Sequence, residues 1–116
     1  MKKLIKIIIF FFIIYTFNNS SMWASEKIKI GLLVPITGKD SQIGKSIIKS
    51  IRLAINKIDS SLIEIIPKDT RSNPETTLKG AKELNIEGVK IVIGPVFNKN
   101  LVYLNEMENM IFLSLT

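Results

Sequence analysis

From Ile28 onward the chain alternates short apolar runs with amphipathic segments, and this constrains its fold more than any other feature. Ile28-Lys29-Ile30-Gly31-Leu32-Leu33-Val34 reads as a strand stopped by Pro35. Its second half is apolar on both faces, as a strand inside a parallel sheet should be. Ile43, Ile47, Ile51, Ala54, Ile55 and Ile58 recur at helical spacing, which predicts a helix over about residues 41–58 with these six facing inward. Gln42, Lys45, Lys49, Arg52, Asn56 and Lys57 take its opposite face. Leu62–Ile66 is a second short strand.

Asn73-Pro74-Glu75 then opens a helix, with Asn as cap, Pro at the first helical position and an acid facing the positive dipole end. Leu78, Ala81 and Leu84 form its apolar stripe and Gly88 ends it. Val89–Ile93 is a third strand, stopped by Gly94-Pro95. Asn98 is positioned to cap a third helix with Leu101, Leu104 and Met107 facing inward, and Met110–Leu113 begins a fourth strand. The order βαβαβαβ with single helical crossovers predicts a parallel, Rossmann-like α/β sheet with right-handed connections and helices on both faces.

The segment ahead of this pattern reads as an address. Lys2, Lys3 and Lys6 lead into Ile7–Phe17, an apolar run of 11 residues. A bilayer-spanning helix needs ~20, whereas the hydrophobic region of a signal peptide has ~7–15. Asn18–Ser21 follow, and Ala24 supplies a small residue for cleavage. Residues 1–24 therefore read as a hydrophobic N-terminal signal helix directing export to the periplasm, with cleavage near Ala24. Left uncleaved, the same segment would be a membrane anchor. Membrane contact is expected only through it, and the absence of cysteine argues against lipoprotein processing.

This address accounts for half of the formal charge of +6. From Ser25 onward, 13 basic residues face 10 acidic ones. They read as single basic residues with acids between them. Only two are arginine, and no aromatics interleave with them, so nucleic acid is not an expected partner.

The chain has no cysteine and no histidine. That excludes disulfides, thiolate and imidazole metal sites, thiol nucleophiles and Ser-His-Asp catalysis. Gly38 to Gly44-Lys45-Ser46 looks like a phosphate-binding loop, but five residues separate the glycines where the motif needs four. Lys45 and Ser46 then fall on the outer face of the first helix. No cofactor, metal or enzymatic activity is expected.

In open α/β sheets, ligands bind beyond the carboxyl ends of the strands. Those ends are Pro35–Gly38, Lys68–Thr70, Gly94–Asn98 and Ser114–Thr116. They supply hydroxyls, an amide, exposed backbone and one aromatic, a set suited to binding rather than catalysis. Asp69 is the sole strand-end carboxylate and reads first as a turn former.

Three segments together resemble the type I periplasmic solute-binding proteins, the class that includes branched-chain amino acid receptors. Ile28–Gly38 followed by Gly44 resembles that family's first strand and its P-x-T-G-x-x-x-x-x-G loop. Asp69–Pro74 resembles its acidic, proline-containing turn, and Val89–Pro95 its third strand and following G-P. The resemblance implies a hinged, two-lobed protein that captures a small polar, amino-acid-like solute for an ABC importer, with the permease as partner. It implies ligand contacts at Thr37, Gly38, Ser41, Phe97, Asn98, Ser114 and Thr116.

Phe97-Asn98-Lys99 stands where the family's amino acid receptors usually place a serine. Gly94–Phe97 also looks like the related domain of penicillin-binding protein activators, whose partner is a peptidoglycan synthase. Family members are far longer, so residues 25–116 are expected to be the first part of the first lobe, truncated after the fourth strand.

Overall fold

The computed structural model describes residues 1–17 and 25–116. The expected cleavage position near Ala24 lies outside the described residues. The N-terminal segment is a helix, α1 (Lys2–Phe17). Its large apolar side chains from Leu4 to Phe11 are exposed. No helix among the described residues is long and apolar enough to cross a membrane.

The remaining elements are β1 (Ile28–Val34), α2 (Ser41–Lys57), β2 (Ile63–Asp69), α3 (Pro74–Ile86), β3 (Ile91–Ile93) and β4 (Ile111–Leu113). The four strands form one sheet in the order β2-β1-β3-β4, and every neighbouring pair is parallel. The expected α/β architecture is therefore present. Parallel pairing sets all four carboxyl ends along one edge of the sheet.

β1 lies inside the sheet, and its alternation splits the core in two. Leu32 and Val34 point to one side, where Val96, Ile47, Ile48, Ile51 and Ile65 join them. Leu33 points to the other, with Ala81, Leu84, Val89, Val92, Leu104 and Met110. Helix α2 thus covers one face, while α3 and the segment before β4 cover the other. Fully burying each aliphatic side chain contributes about 1.5–3 kcal/mol.

Asn73 caps α3 as its sequence predicts, its side chain accepting a hydrogen bond from the Thr76 N–H at 2.9 Å.

Three expectations need correction. First, β2 runs from Ile63 to Asp69 and passes through Pro67. This is an edge strand paired only with β1, so a residue without an N–H is tolerated there. Second, α2 is rotated relative to its apolar periodicity. Ile43 and Ile58 are exposed, at 44% and 63%, Ala54 is exposed as well, and Ile48 packs inward instead. Gly44 explains the rotation, because it is buried so tightly that a Cβ would lie 1.9 Å from the Pro35 carbonyl oxygen. The helix must turn its glycine side to the sheet, which moves Ile43 out.

Third, no α-helix follows Asn98. Two 3-10 turns, Asn98–Leu101 and Leu104–Glu106, occupy the segment. Asn98 is not the cap residue; Phe97 is, and it makes no side-chain capping bond. The Asn100 N–H closes a three-residue turn on the Phe97 carbonyl at 2.9 Å. Three asparagines and a valine in ten residues also leave an α-helix little intrinsic support. Leu104 is nevertheless buried and Leu101 and Met107 half-buried, so the inward face is as expected.

Candidate functional site

Two polar clusters stand at the carboxyl edge of the sheet. The first is built on Asp69, the last residue of β2. Its Oδ1 accepts the Ile36 N–H at 2.8 Å, the Arg71 N–H at 3.0 Å and the Thr37 N–H at 3.3 Å. Its Oδ2 accepts the Thr37 hydroxyl in a short hydrogen bond. The carboxylate thus ties the loop after β1 to the loop after β2. Partial burial pushes its pKa up, but the Thr37 hydroxyl and the N–H groups of Arg71, Ile36 and Thr37 outweigh this and hold it below the usual carboxylate range. Asp69 is therefore a firmly ionised brace as well as a turn residue.

A second tie runs parallel to it. The Ser72 hydroxyl donates to Asp40 Oδ2 at 2.7 Å, just ahead of α2. Arg71 and Ser72 both have left-handed φ angles, of 49° and 54°. Non-glycine residues adopt that conformation at a cost. The Thr70 and Asp69 contacts hold them in it: Ser72 N–H bonds Thr70 Oγ1 at 3.3 Å, and Thr70 N–H bonds the Val34 carbonyl at 3.0 Å.

The second cluster lies beyond β3 and β4. Gly94 has a φ of 107° and approaches β1 so closely that a Cβ would lie 2.3 Å from the Leu33 carbonyl oxygen. The Gly94–Pro95 peptide bond is cis. The Leu115 N–H donates to the Pro95 carbonyl at 3.2 Å, and the Thr116 hydroxyl donates to Asn98 Oδ1 at 2.8 Å. Ser114 Oγ accepts the Thr116 N–H at 3.4 Å. Lys99 Nζ sits 5.9 Å from the centroid of the Phe97 ring. Ile36, from the first cluster, and Phe97, from the second, both pack on Leu32, Val34 and Val96, so one apolar floor underlies both clusters.

The structure therefore gathers Asn98, Ser114 and Thr116 into one group and braces Thr37 in another. Gly38 and Ser41 lie at the entry to α2, with the Ser41 N–H on the Gly38 carbonyl at 3.2 Å. The roles of Asp69, Asp40 and Ser72 as loop ties were not legible from the sequence, because each tie joins residues more than 30 positions apart. Lys45 and Ser46 are exposed on α2, and Gly44 is filled by the Pro35 carbonyl, so the look-alike loop cannot wrap a phosphate. No cluster of three or more acidic side chains among the described residues could hold a metal ion.

Hydroxyl, amide and backbone groups are thus collected at the strand ends of an open parallel α/β lobe. The chain belongs to the periplasmic binding protein family, whose model matches residues 27–107.

Among solved structures, the leucine-binding protein LivK of Thermotoga maritima is similar at 25% identity and a TM-score of 0.65, over 75% of this chain and 28% of that one. A solute-binding protein of an ABC transporter from Rhodopseudomonas palustris, in complex with 3,4-dihydroxybenzoic acid, is similar at 28% identity and a TM-score of 0.68, over 76% and 26%. The C-domain of LpoA from Haemophilus influenzae, a regulator of PBP1A, shares the fold at 23% identity and a TM-score of 0.62, over 74% and 27%. No curated protein sequence matches the chain. The chain thus spans little more than a quarter of the length of these solved relatives.

Proposed function

We propose that residues 25–116 form the opening part of one lobe of an exported solute-binding protein, which captures a small polar solute for an ABC importer without enzymatic activity. Residues 1–24 serve as its export signal to the periplasm, and the permease is its partner. The observation that carries this reading is the placing of two polar clusters, one with Thr37 and one with Asn98, Ser114 and Thr116, at the carboxyl edge of one parallel sheet, above the Ile36 and Phe97 floor. The Asn98 amide NH2 suits a ligand carboxylate or hydroxyl, the Thr37 and Thr116 hydroxyls, whose protons go to Asp69 and Asn98, offer lone pairs to a ligand hydroxyl or ammonium group, and Phe97 suits an apolar portion. Gly38 and Ser41, at the start of α2, complete the set.

The similarity to a leucine-binding protein and to a dihydroxybenzoate-bound protein makes leucine and 3,4-dihydroxybenzoate the probes of choice. Equilibrium dialysis of the full chain against each radiolabelled compound tests the reading. Saturable uptake of one of them, reduced at least roughly tenfold by Thr37→Ala with Asn98→Ala, supports it; one lost charge-assisted contact in such a site accounts for a loss of that order.

A second reading is favoured by Phe97-Asn98-Lys99 standing in place of a serine, and by the fold shared with LpoA. In it, the lobe contacts a peptidoglycan synthase. Failure of both solutes together with saturable binding to a purified synthase selects this alternative.

A further inference from the structure

We propose that the outer flank of α2 is a docking surface for an acidic polypeptide segment of a partner protein. Residues 25–116 contain 13 basic and 10 acidic residues, and α2 alone contains four basic residues and no acidic one. Outside α2 the remaining nine basic and ten acidic residues nearly balance. The whole positive excess of the folded region therefore resides in this one helix, and the sequence-level picture of evenly dispersed charge does not hold for it.

Lys45, Lys49 and Arg52 follow one another at spacings of four and three, so they line one stripe. Among the described residues, ion pairs form at Lys68 and Arg71, and none forms on α2. Like charges at these spacings destabilise a helix by about 0.2–0.5 kcal/mol per pair. The stripe thus works against the fold.

The same three cations line an open groove whose remaining walls are Ile48 and Leu53. Leu53 is 59% exposed, although it lies between charged neighbours. A stripe of three cations flanked by Ile48 and the exposed Leu53 is complementary to a run of carboxylates with an aliphatic side chain beside it. The scarcity of arginine and aromatics disfavours nucleic acid. The occupant is therefore an amphipathic segment with Asp or Glu three and four residues apart around one aliphatic residue. This surface starts one helical turn beyond Ser41, the one strand-end candidate that lies on α2.

The test uses the full chain and a fluorescently labelled helical peptide with glutamates at those spacings around one leucine, followed by anisotropy at low and moderate salt. The expected result is saturable binding that weakens as salt rises and falls roughly tenfold or more in K45E/K49E/R52E. The neutral variant K45Q/K49Q/R52Q is expected to lose binding as well, with unchanged circular dichroism. A control, K79E/K82E/K90E, makes the same change in net charge at exposed positions away from α2 and should bind like the parent. Three results would overturn the proposal: no saturable binding, equal weakening by the control, or displacement of the peptide by phosphatidylglycerol vesicles.

Discussion

Replacing Asp69 tests how the candidate site is held together. In Asp69→Ala, four donors lose their acceptor: the N–H groups of Ile36, Thr37 and Arg71 and the Thr37 hydroxyl. The Ile36 N–H is half-buried, and stranding it costs about 1–3 kcal/mol. Thr37 and Arg71 are exposed, so water replaces most of their loss, at about 0.5 kcal/mol each. Asp69→Ala should therefore lower stability by about 2–4 kcal/mol. Asp69→Asn keeps one carbonyl acceptor for the three N–H groups but loses the charge assistance and puts an NH2 donor where the exposed Thr37 hydroxyl now donates, so about 1 kcal/mol is expected.

Urea denaturation at neutral pH followed by far-UV circular dichroism reads both as midpoint shifts at constant slope. Hydrogen exchange should locate the damage, with the Ile36 amide losing protection before those of β1. A loss below about 0.5 kcal/mol in Asp69→Ala, or equal losses in the two variants, would refute the view of Asp69 as a charged brace.

Other consequences follow from the same contacts. Because the folded pKa of Asp69 lies below its ordinary value of 3.8, its stabilisation is complete above that value and is lost as pH falls through the lower folded pKa; an acid titration should show this loss in the parent and not in Asp69→Asn. Hydrogen bonds to Glu87 and Glu83 outweigh desolvation and raise the pKa of Lys68 above 10.5, so its contribution is present below that pH and is lost as pH rises through the higher folded pKa, a loss that Lys68→Gln should lack in an alkaline titration. Gly44→Ala forces a Cβ to 1.9 Å from the Pro35 carbonyl oxygen and should cost about 3 kcal/mol or abolish cooperative unfolding, read by the same urea assay. Asn100 is 1% exposed with neither side-chain polar atom partnered, so Asn100→Leu should raise the urea midpoint by about 1–2 kcal/mol equivalent.

The sequence made legible what depends on neighbours along the chain. β1 declared itself through an apolar run ended by Pro35, and α3 through the Asn73-Pro74-Glu75 start that the structure uses as a cap. What escaped depends on contacts across the fold. The facing of α2 is set by Gly44 against Pro35, which overrides the periodicity that pointed Ile43 inward. The segment after Asn98 carries a helix-like start, but Phe97 and Asn100 close a tighter turn than that signal implies. The ties from Asp69 to Ile36 and from Ser72 to Asp40 span more than 30 residues, so no local pattern announces them. Candidate residues were legible as strand-end positions, because a parallel order alone fixes which loops share an edge.

The most direct measurement is a titration of the isotopically labelled full chain with leucine and with 3,4-dihydroxybenzoate, followed by amide chemical shifts. A ligand edge at the strand ends predicts saturable shifts concentrated at residues 36–38, 97–98 and 114–116, with α3 unaffected. Saturable shifts confined to α3 or to the amino-terminal edge of the sheet would contradict it.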